Sequence, residues 1–492
     1  MTIQIYERCC VRILADGRRR YTGGVGWRLV GAVAVLAAAL LCWPAPGAMA
    51  QDLGSYTRET FAQWFRQYQN AKPDFKPGDM LTAKDLERIR PFVPPGYLEQ
   101  LNFPELRVTV AQPRNHPLGQ AYTACTEKYG AQVRLASDGA PVNYRCGQPF
   151  ARLDPGDPQS GIKAAWDFDY HWDNYGLNIL NVLWIWIRNG GTHENAEFPV
   201  EMPPGSLFEG IDYTTKLPTD VSHDFGGGGT FQRSLASYYQ RVRFSHLAQL
   251  DGGALPLPGA ENWEWKEISY FYEPFDIRGT AFVIFRREDP HEAESAWAYV
   301  PNLRRVRRVS SEVKSDSLLG TDMVLDDFYG FNGKPLDWNW KFWGFKDILA
   351  VTDSRQDYLR LYGPNGTIPD DQWSLRKVLV LERVPKDPRY PYSSALMFVD
   401  AETWFSVYHF AFDTSKKLWK TNQWQWRYTE DAKDFAEVNH GAQTMYFQGA
   451  VTTDVQNGRA SIFPAYGSGY PSLHAAQVGR LYDVNKLEEI HR

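Results

Sequence analysis

Beyond Leu177 the chain alternates between short aromatic or β-branched runs and turn-forming residues. LNILNVLWIWI, TFQRSLASYYQRVRF, WEWKEISYFYE, TAFVIFRR, SAWAYV, DWNWKFWGF, LRKVLVLERV, ALMFVD, FSVYHFAF, KLWKTNQWQWRY and AQTMYFQGAVT follow one another, with Gly, Pro, Asp or Asn between them. This pattern predicts strands. The links are short, and Asp400–Thr403 and Asp413–Lys416 read as hairpin turns. Short links force antiparallel neighbours, so the economical assembly is one large, curved, meander-like sheet. N-terminal to this body the period changes. Phe61, Trp64, Phe65 and Tyr68 recur at helical spacing between Ser55 and Gln69. Thr82 is placed to cap a helix reaching Arg90, and a further helix is expected from about Leu118 to Tyr129. Ile162–Trp172 favours helix over strand, with Ser160 as its cap. The prolines between Lys72 and Asn115 predict an extended arm. The expected class is mainly β with helices (α+β), a curved antiparallel sheet with the N-terminal helices packed on it. Residues 51–160 would form the helical, proline-rich arm, 161–470 the β domain and 471–492 a C-terminal tail.

The first 50 residues have the layout of a secretory signal. Arg18, Arg19, Arg20 and Arg28 precede a short apolar run, Leu29–Leu41, and Ala48-Met49-Ala50 supplies a small-x-small cleavage site. Cleavage near Ala50 leaves 492 − 50 = 442 residues. The segment removed carries six Arg and two acidic residues, so the net charge moves from −5 to −9. That balance argues against nucleic acid as a partner. Cys125 and Cys146 remain as an even pair in an exported chain, which reads as a disulfide, with two buried free thiols as the alternative. Neither has His or Cys neighbours at metal-ligand spacing, and no metal or cofactor is expected.

Catalytic consensus motifs are missing. His171, His193, His223 and His246 are dispersed, and no HExxH, GxSxG or CxxC occurs. The run Gly226–Gly229 is followed by a strand pattern rather than a helix, so it reads as a hinge or entrance loop, not a phosphate cradle. In Glu273–Thr280, a corner between two strands, Asp276 and Arg278 are placed to latch the turn. Two other features stand out. Arg304, Arg305, Arg307 and Arg308 occupy both faces of a short strand, which therefore belongs at an edge or rim. They could form a network with Asp316, Asp322, Asp326 and Asp327, or a cationic rim for an anionic head group or a partner's acidic loop. Trp263/Trp265, Trp338/Trp340 and Trp424/Trp426 are spaced by two and should share a sheet face. They read either as core or, for Trp263, Trp265, Trp338 and Trp340, as the lining of an apolar ligand cavity.

The run WAYVPNLRRVRR (Trp297–Arg308) resembles the central block of the domain of unknown function 1329 family. Asp326–Gly333, Asp337–Lys341, Leu375–Val378, Leu381-Glu382, Tyr392, Phe398–Asp400, Thr403-Trp404 and Leu418-Trp419 continue the likeness, and Gly147–Phe150 and Ala164–Phe168 precede it. Ala151 replaces the usual Pro, and Asp413–Lys416 lacks the family's turn Gly. The resemblance implies a periplasmic protein of Gram-negative bacteria related to the outer-membrane lipoprotein carriers, in which an incomplete β-barrel under helices encloses an apolar cavity. It also implies association with permeases of the resistance-nodulation-division type. The expectation is a non-enzymatic carrier or accessory protein for a hydrophobic or lipid-like ligand, working with an inner-membrane permease and with outer-membrane proteins. The alternatives are a hydrolase of envelope glycans using Asp326 or Asp327, and a structural adaptor whose cavity is filled by its own side chains.

Overall fold

The computed structural model describes residues 53–189, 229–309, 315, 317–431, 441–469 and 475–490. The signal segment, His193, His223, Gly226–Gly228 and Asp316 lie outside the described residues.

The arm begins with α1 (Arg58–Tyr68), started by a capping box between Thr57 and Thr60. Its Phe61, Trp64 and Phe65 are buried, and Phe61 packs edge-on against Phe412. Thr82 caps a 3-10 turn that leads into α2 (Leu86–Ile89). The arm also contributes β1 (Met80–Leu81) and β2 (Val108–Ala111), then α3 (Gln120–Tyr129) and the short pair β3 (Arg134–Leu135) and β4 (Pro141–Val142). Cys125 on α3 is bonded to Cys146, with Cα atoms 5.6 Å apart. The next helix, α4 (Ser160–Asp169), has Gln159 rather than Ser160 at its cap position. Ser160 Oγ instead accepts from the Asp154 N–H.

The body contains β5 (Gly176–Arg188), β6 (Thr230–Arg243), β7 (Trp263–Glu273), β8 (Ala281–Arg287), β9 (Ser295–Val300), β10 (Arg305–Val309) and β11 (Trp338–Ala350). A small pair, β12 (Leu361–Tyr362) and β13 (Ile368–Pro369), precedes β14 (Gln372–Pro385), β15 (Tyr392–Asp400), β16 (Ser406–Asp413), β17 (Leu418–Tyr428), β18 (Met445–Asp454) and β19 (Arg459–Gly469). Fifteen strands form one open sheet in the order β1-β2-β14-β15-β16-β17-β18-β19-β5-β6-β7-β8-β9-β10, with β11 also paired to β14. Two meanders, β5–β10 and β14–β19, are joined where β19 returns beside β5. The sheet is mixed rather than purely antiparallel, because β2 pairs parallel to β14. β2 arrives from the arm, so no hairpin constrains its direction.

The helices do not share one face. On β14, Val378 and Val380 join α1 in one core, while Leu379 and Leu381 join Ala164 and Phe168 of α4 in another. Strand β5 is buried on both sides, which accounts for its unbroken apolar run. Leu183, Ile185 and Ile187 join the core that also holds Val478, Leu481 and Leu487 near the C-terminus. Val182, Trp184 and Trp186 face the other way, toward Met323, Phe328 and Tyr329 of a strap spanning residues 317–333. At the corner after β7, Arg278 is held by Glu273 and by the Tyr272 carbonyl.

Candidate functional site

Between the β5–β10 half of the sheet and the strap lies a cavity of about 280 Å³. Its walls are Val182, Trp184, Phe282, Ile284, Leu318, Leu319, Leu325 and Phe328, with Glu267, Ser269 and Tyr239 at its polar side. Cross-strand register puts Tyr239, Ser269, Phe282 and Ala298 in one row and Arg241, Glu267, Ile284 and Ala296 in the next. Directly opposed residues point to the same face, so the cavity floor is a set of such rows. The strap is its roof, and buried polar bonds hold it down. The Trp186 indole donates to the Gly320 carbonyl at 2.8 Å. Asp322 pairs with Arg459 at 2.8 Å, accepts from Ser461 Oγ at 2.9 Å, and its carbonyl accepts from Lys420 at 2.6 Å. Asp327 is fully buried against Arg383 and accepts from the Tyr392 hydroxyl at 2.6 Å. Burial disfavours its carboxylate, yet Arg383 and Tyr392 hold it below the usual range.

A buried ionic frame adjoins the cavity. Arg241 reaches Glu267 at 2.6 Å and Asn332 at 2.6 Å, and its guanidinium lies 4.3 Å from the Trp265 ring. Arg286 approaches the same ring at 4.5 Å while bonding Glu294 at 2.7 Å and Asp169 of α4 at 3.0 Å. Arg243 holds Asp173 at 2.7 Å and Glu264 at 3.6 Å. Burial pushes the Glu264 carboxyl up to about 8, with Asp169 adding repulsion against the pull of Arg286 and Arg243. His409 is fully buried near Arg383 and Asp327, and desolvation pushes it down to about 3. Through Asn332 and Asp169 these contacts tie the strap and α4 to the sheet.

The structure places the sequence-predicted residues as follows. Trp263 and Trp265 do not share a face, because a β-bulge sets them opposite the successive residues Arg287 and Arg286. The irregularity breaks the period of two. Trp263 packs edge-on against Phe285, under Arg287, whereas Trp265 sits between Arg241 and Arg286. Trp338 and Trp340 do share a face, both meeting Phe331 edge-on. Trp338 borders a second, polar cleft of about 590 Å³ with Asp326, Lys334, Lys386, Arg389 and Tyr390. Of the tryptophans, Trp184 lines the apolar cavity, whereas Trp297 points to the opposite face of β9 and packs on Phe285. Trp424 and Trp426 are buried together in the core below the cavity.

Arg305–Val309 is the terminal strand of the sheet, as charges on both faces require, and Arg304 sits in the left-handed turn before it. Arg304, Arg305, Arg307 and Arg308 are exposed. Among the described residues the arginines form no network with Asp322, Asp326 or Asp327. Asp322 pairs with Arg459, Asp327 with Arg383, and Asp326 accepts from Tyr390 at 3.0 Å. The strap runs under the middle of the sheet, whereas β10 lies at its edge. Sequence reasoning missed the apolar strap residues Leu318, Leu319 and Leu325, which lie in no periodic segment. Among the described residues no group of three or more His, Cys, Asp or Glu could hold a metal ion, and no helix is long and apolar enough to cross a membrane.

No curated protein matches the chain. Among solved structures it is similar to one named as an outer membrane lipoprotein-sorting protein domain from Vibrio parahaemolyticus, with 15% identity and a TM-score of 0.41 over 68% of this chain and 100% of that one. A DUF1329 family protein from Desulfovibrio piger gives 14% and 0.39, over 65% and 95%. A LolA superfamily protein from Nitrosomonas europaea gives 14% and 0.32, over 63% and 92%. Residues 224–481, more than half of the chain, match the family described as "Protein of unknown function (DUF1329)"; the blocks Gly147–Phe150 and Ala164–Phe168 lie upstream of the match. The chain belongs to the DUF1329 family.

Proposed function

We propose that this protein is a non-enzymatic periplasmic carrier or accessory protein that holds a hydrophobic or lipid-like ligand between the sheet and the strap. The observation that carries this reading is the apolar cavity walled by Trp184, Phe282, Ile284, Leu318 and Phe328. An apolar, preformed cavity with a few polar groups is what a lipid-like ligand needs. The signal-like first 50 residues supply the route to the periplasm. In this reading the ligand is exchanged with an inner-membrane permease of the resistance-nodulation-division type and with outer-membrane proteins, and the arginine edge of the sheet is the contact rim. The hydrolase alternative loses one of its two acids, because Asp327 is locked in a buried ion pair. Asp326, on the polar cleft, is its remaining candidate. Native mass spectrometry of protein purified from the periplasm is expected to detect a bound acyl or sterol-like species. Its consistent absence, together with no uptake of a fluorescent lipid, would overturn the carrier reading.

A further inference from the structure

The cavity does not end in a neutral border. Its floor row runs Tyr239, Ser269, Phe282, Ala298, and the register places Arg307 next in that row, opposite Ala298. Val309, two residues on and on the same face of β10, is itself part of the cavity wall. Residues i and i+2 of a strand share a face, so Arg305 and Arg307 lie on the cavity side of the edge strand. Arg308 lies on the other side, opposite Trp297, where its Nη2 is 3.5 Å from Ser295 Oγ.

Arg305 and Arg307 are exposed and have no ion-pair partner among the described residues. Strands β8 and β9, which separate them from the deeper rows, carry no carboxylate. The one carboxylate on the cavity wall among the described residues, Glu267, is neutralised by Arg241 at 2.6 Å. This local positive charge stands out on a chain whose formal net charge is −5. Guanidinium groups with open forks favour carboxylate, sulfate and phosphate, which they bind through paired N–H donors.

We infer that the ligand is an anionic amphiphile, its chain lying across β8 and β9 in the cavity and its head group held at the sheet edge by Arg305 and Arg307. This rests on the carrier reading and adds the ligand's charge and orientation.

The test is displacement of a bound fluorescent lipid from the full mature chain, using chain-matched pairs. These are dodecanoate against dodecanol, and lysophosphatidylglycerol against lysophosphatidylcholine, with inorganic phosphate as a head-group-only arm. The anionic member of each pair is expected to compete about tenfold better, the worth of one charge-assisted contact. The R305Q/R307Q double variant should bring that ratio close to one while leaving displacement by dodecanol unchanged, and R308Q should leave the ratio intact. Equal competition by charged and uncharged chains overturns the inference while leaving the carrier reading standing. So does a ratio unchanged in R305Q/R307Q, or displacement by inorganic phosphate alone. Failure of the chain to bind the fluorescent lipid at all overturns both.

Discussion

Arg383 and Asp327 form an ion pair with no solvent exposure on either side chain, and the guanidinium also lies 4.3 Å from the Trp338 ring. Removing one member of such a pair strands the other charge in a low-dielectric site. Asp327→Asn is therefore expected to cost about 3–5 kcal/mol of stability, read as a lower urea midpoint. A catalytic acid would instead lose activity with the fold intact. His409 gives a pH signature. Its folded value of about 3 lies below the usual value of about 6.5, so the unfolded chain takes up a proton that the folded chain refuses. Its contribution is fully present above pH 6.5 and is lost as pH falls toward 3. Between pH 6.5 and 5 the loss is on the order of 2 kcal/mol, against a background set by Asp327, Arg383 and Lys420. Urea denaturation of the protein and of His409→Gln should show that slope shrinking in the variant. Neither role was legible in the sequence. Asp327 and Arg383 lie 56 positions apart, and nothing in local spacing links them.

At the scale of elements, local signals read well where local physics decides. α1 lies within the segment that the aromatic period predicts, and the structure adds its Thr57 cap. The hairpin turns at Asp400 and Asp413 form, with the Asp400 carboxylate accepting from the Thr403 N–H at 2.9 Å. The bulge in β7 was not legible, because a period of two cannot reveal an irregularity that only the partner strand defines. It predicts unequal costs. Trp265→Ala, which empties a fully buried site between two guanidiniums, is expected to cost about 3–5 kcal/mol. Trp263→Ala, at a half-buried site, should cost less than half of that by the same equilibrium unfolding measurement. The disulfide is a second device at this scale. It closes a loop of 21 residues between α3 and the following connector. Replacing both Cys125 and Cys146 by Ala should lower stability by about 3 kcal/mol, and reductant should lower the melting temperature of the parent but not of the variant.

For the whole molecule, the decisive relation is between one half of an open sheet and the strap that roofs it. Filling the space should separate binding from folding. Ala296→Trp projects an indole from β9 into the cavity and is expected to weaken uptake of a fluorescent lipid about tenfold or more, with the unfolding midpoint kept or raised. An unchanged affinity would place the ligand elsewhere. The sequence by itself determined the strands, the arm helices, the edge position of the arginine strand and the family. Each of these depends on periodicity, capping residues, alternating charge or ordered blocks within short stretches of chain. Only the tertiary structure decided which tryptophan lines the cavity, which arginine each strap acid meets, and that one strand of the sheet runs parallel. Those outcomes depend on register and on contacts between distant residues, such as Arg286 with Asp169 across 117 positions, that no local pattern encodes.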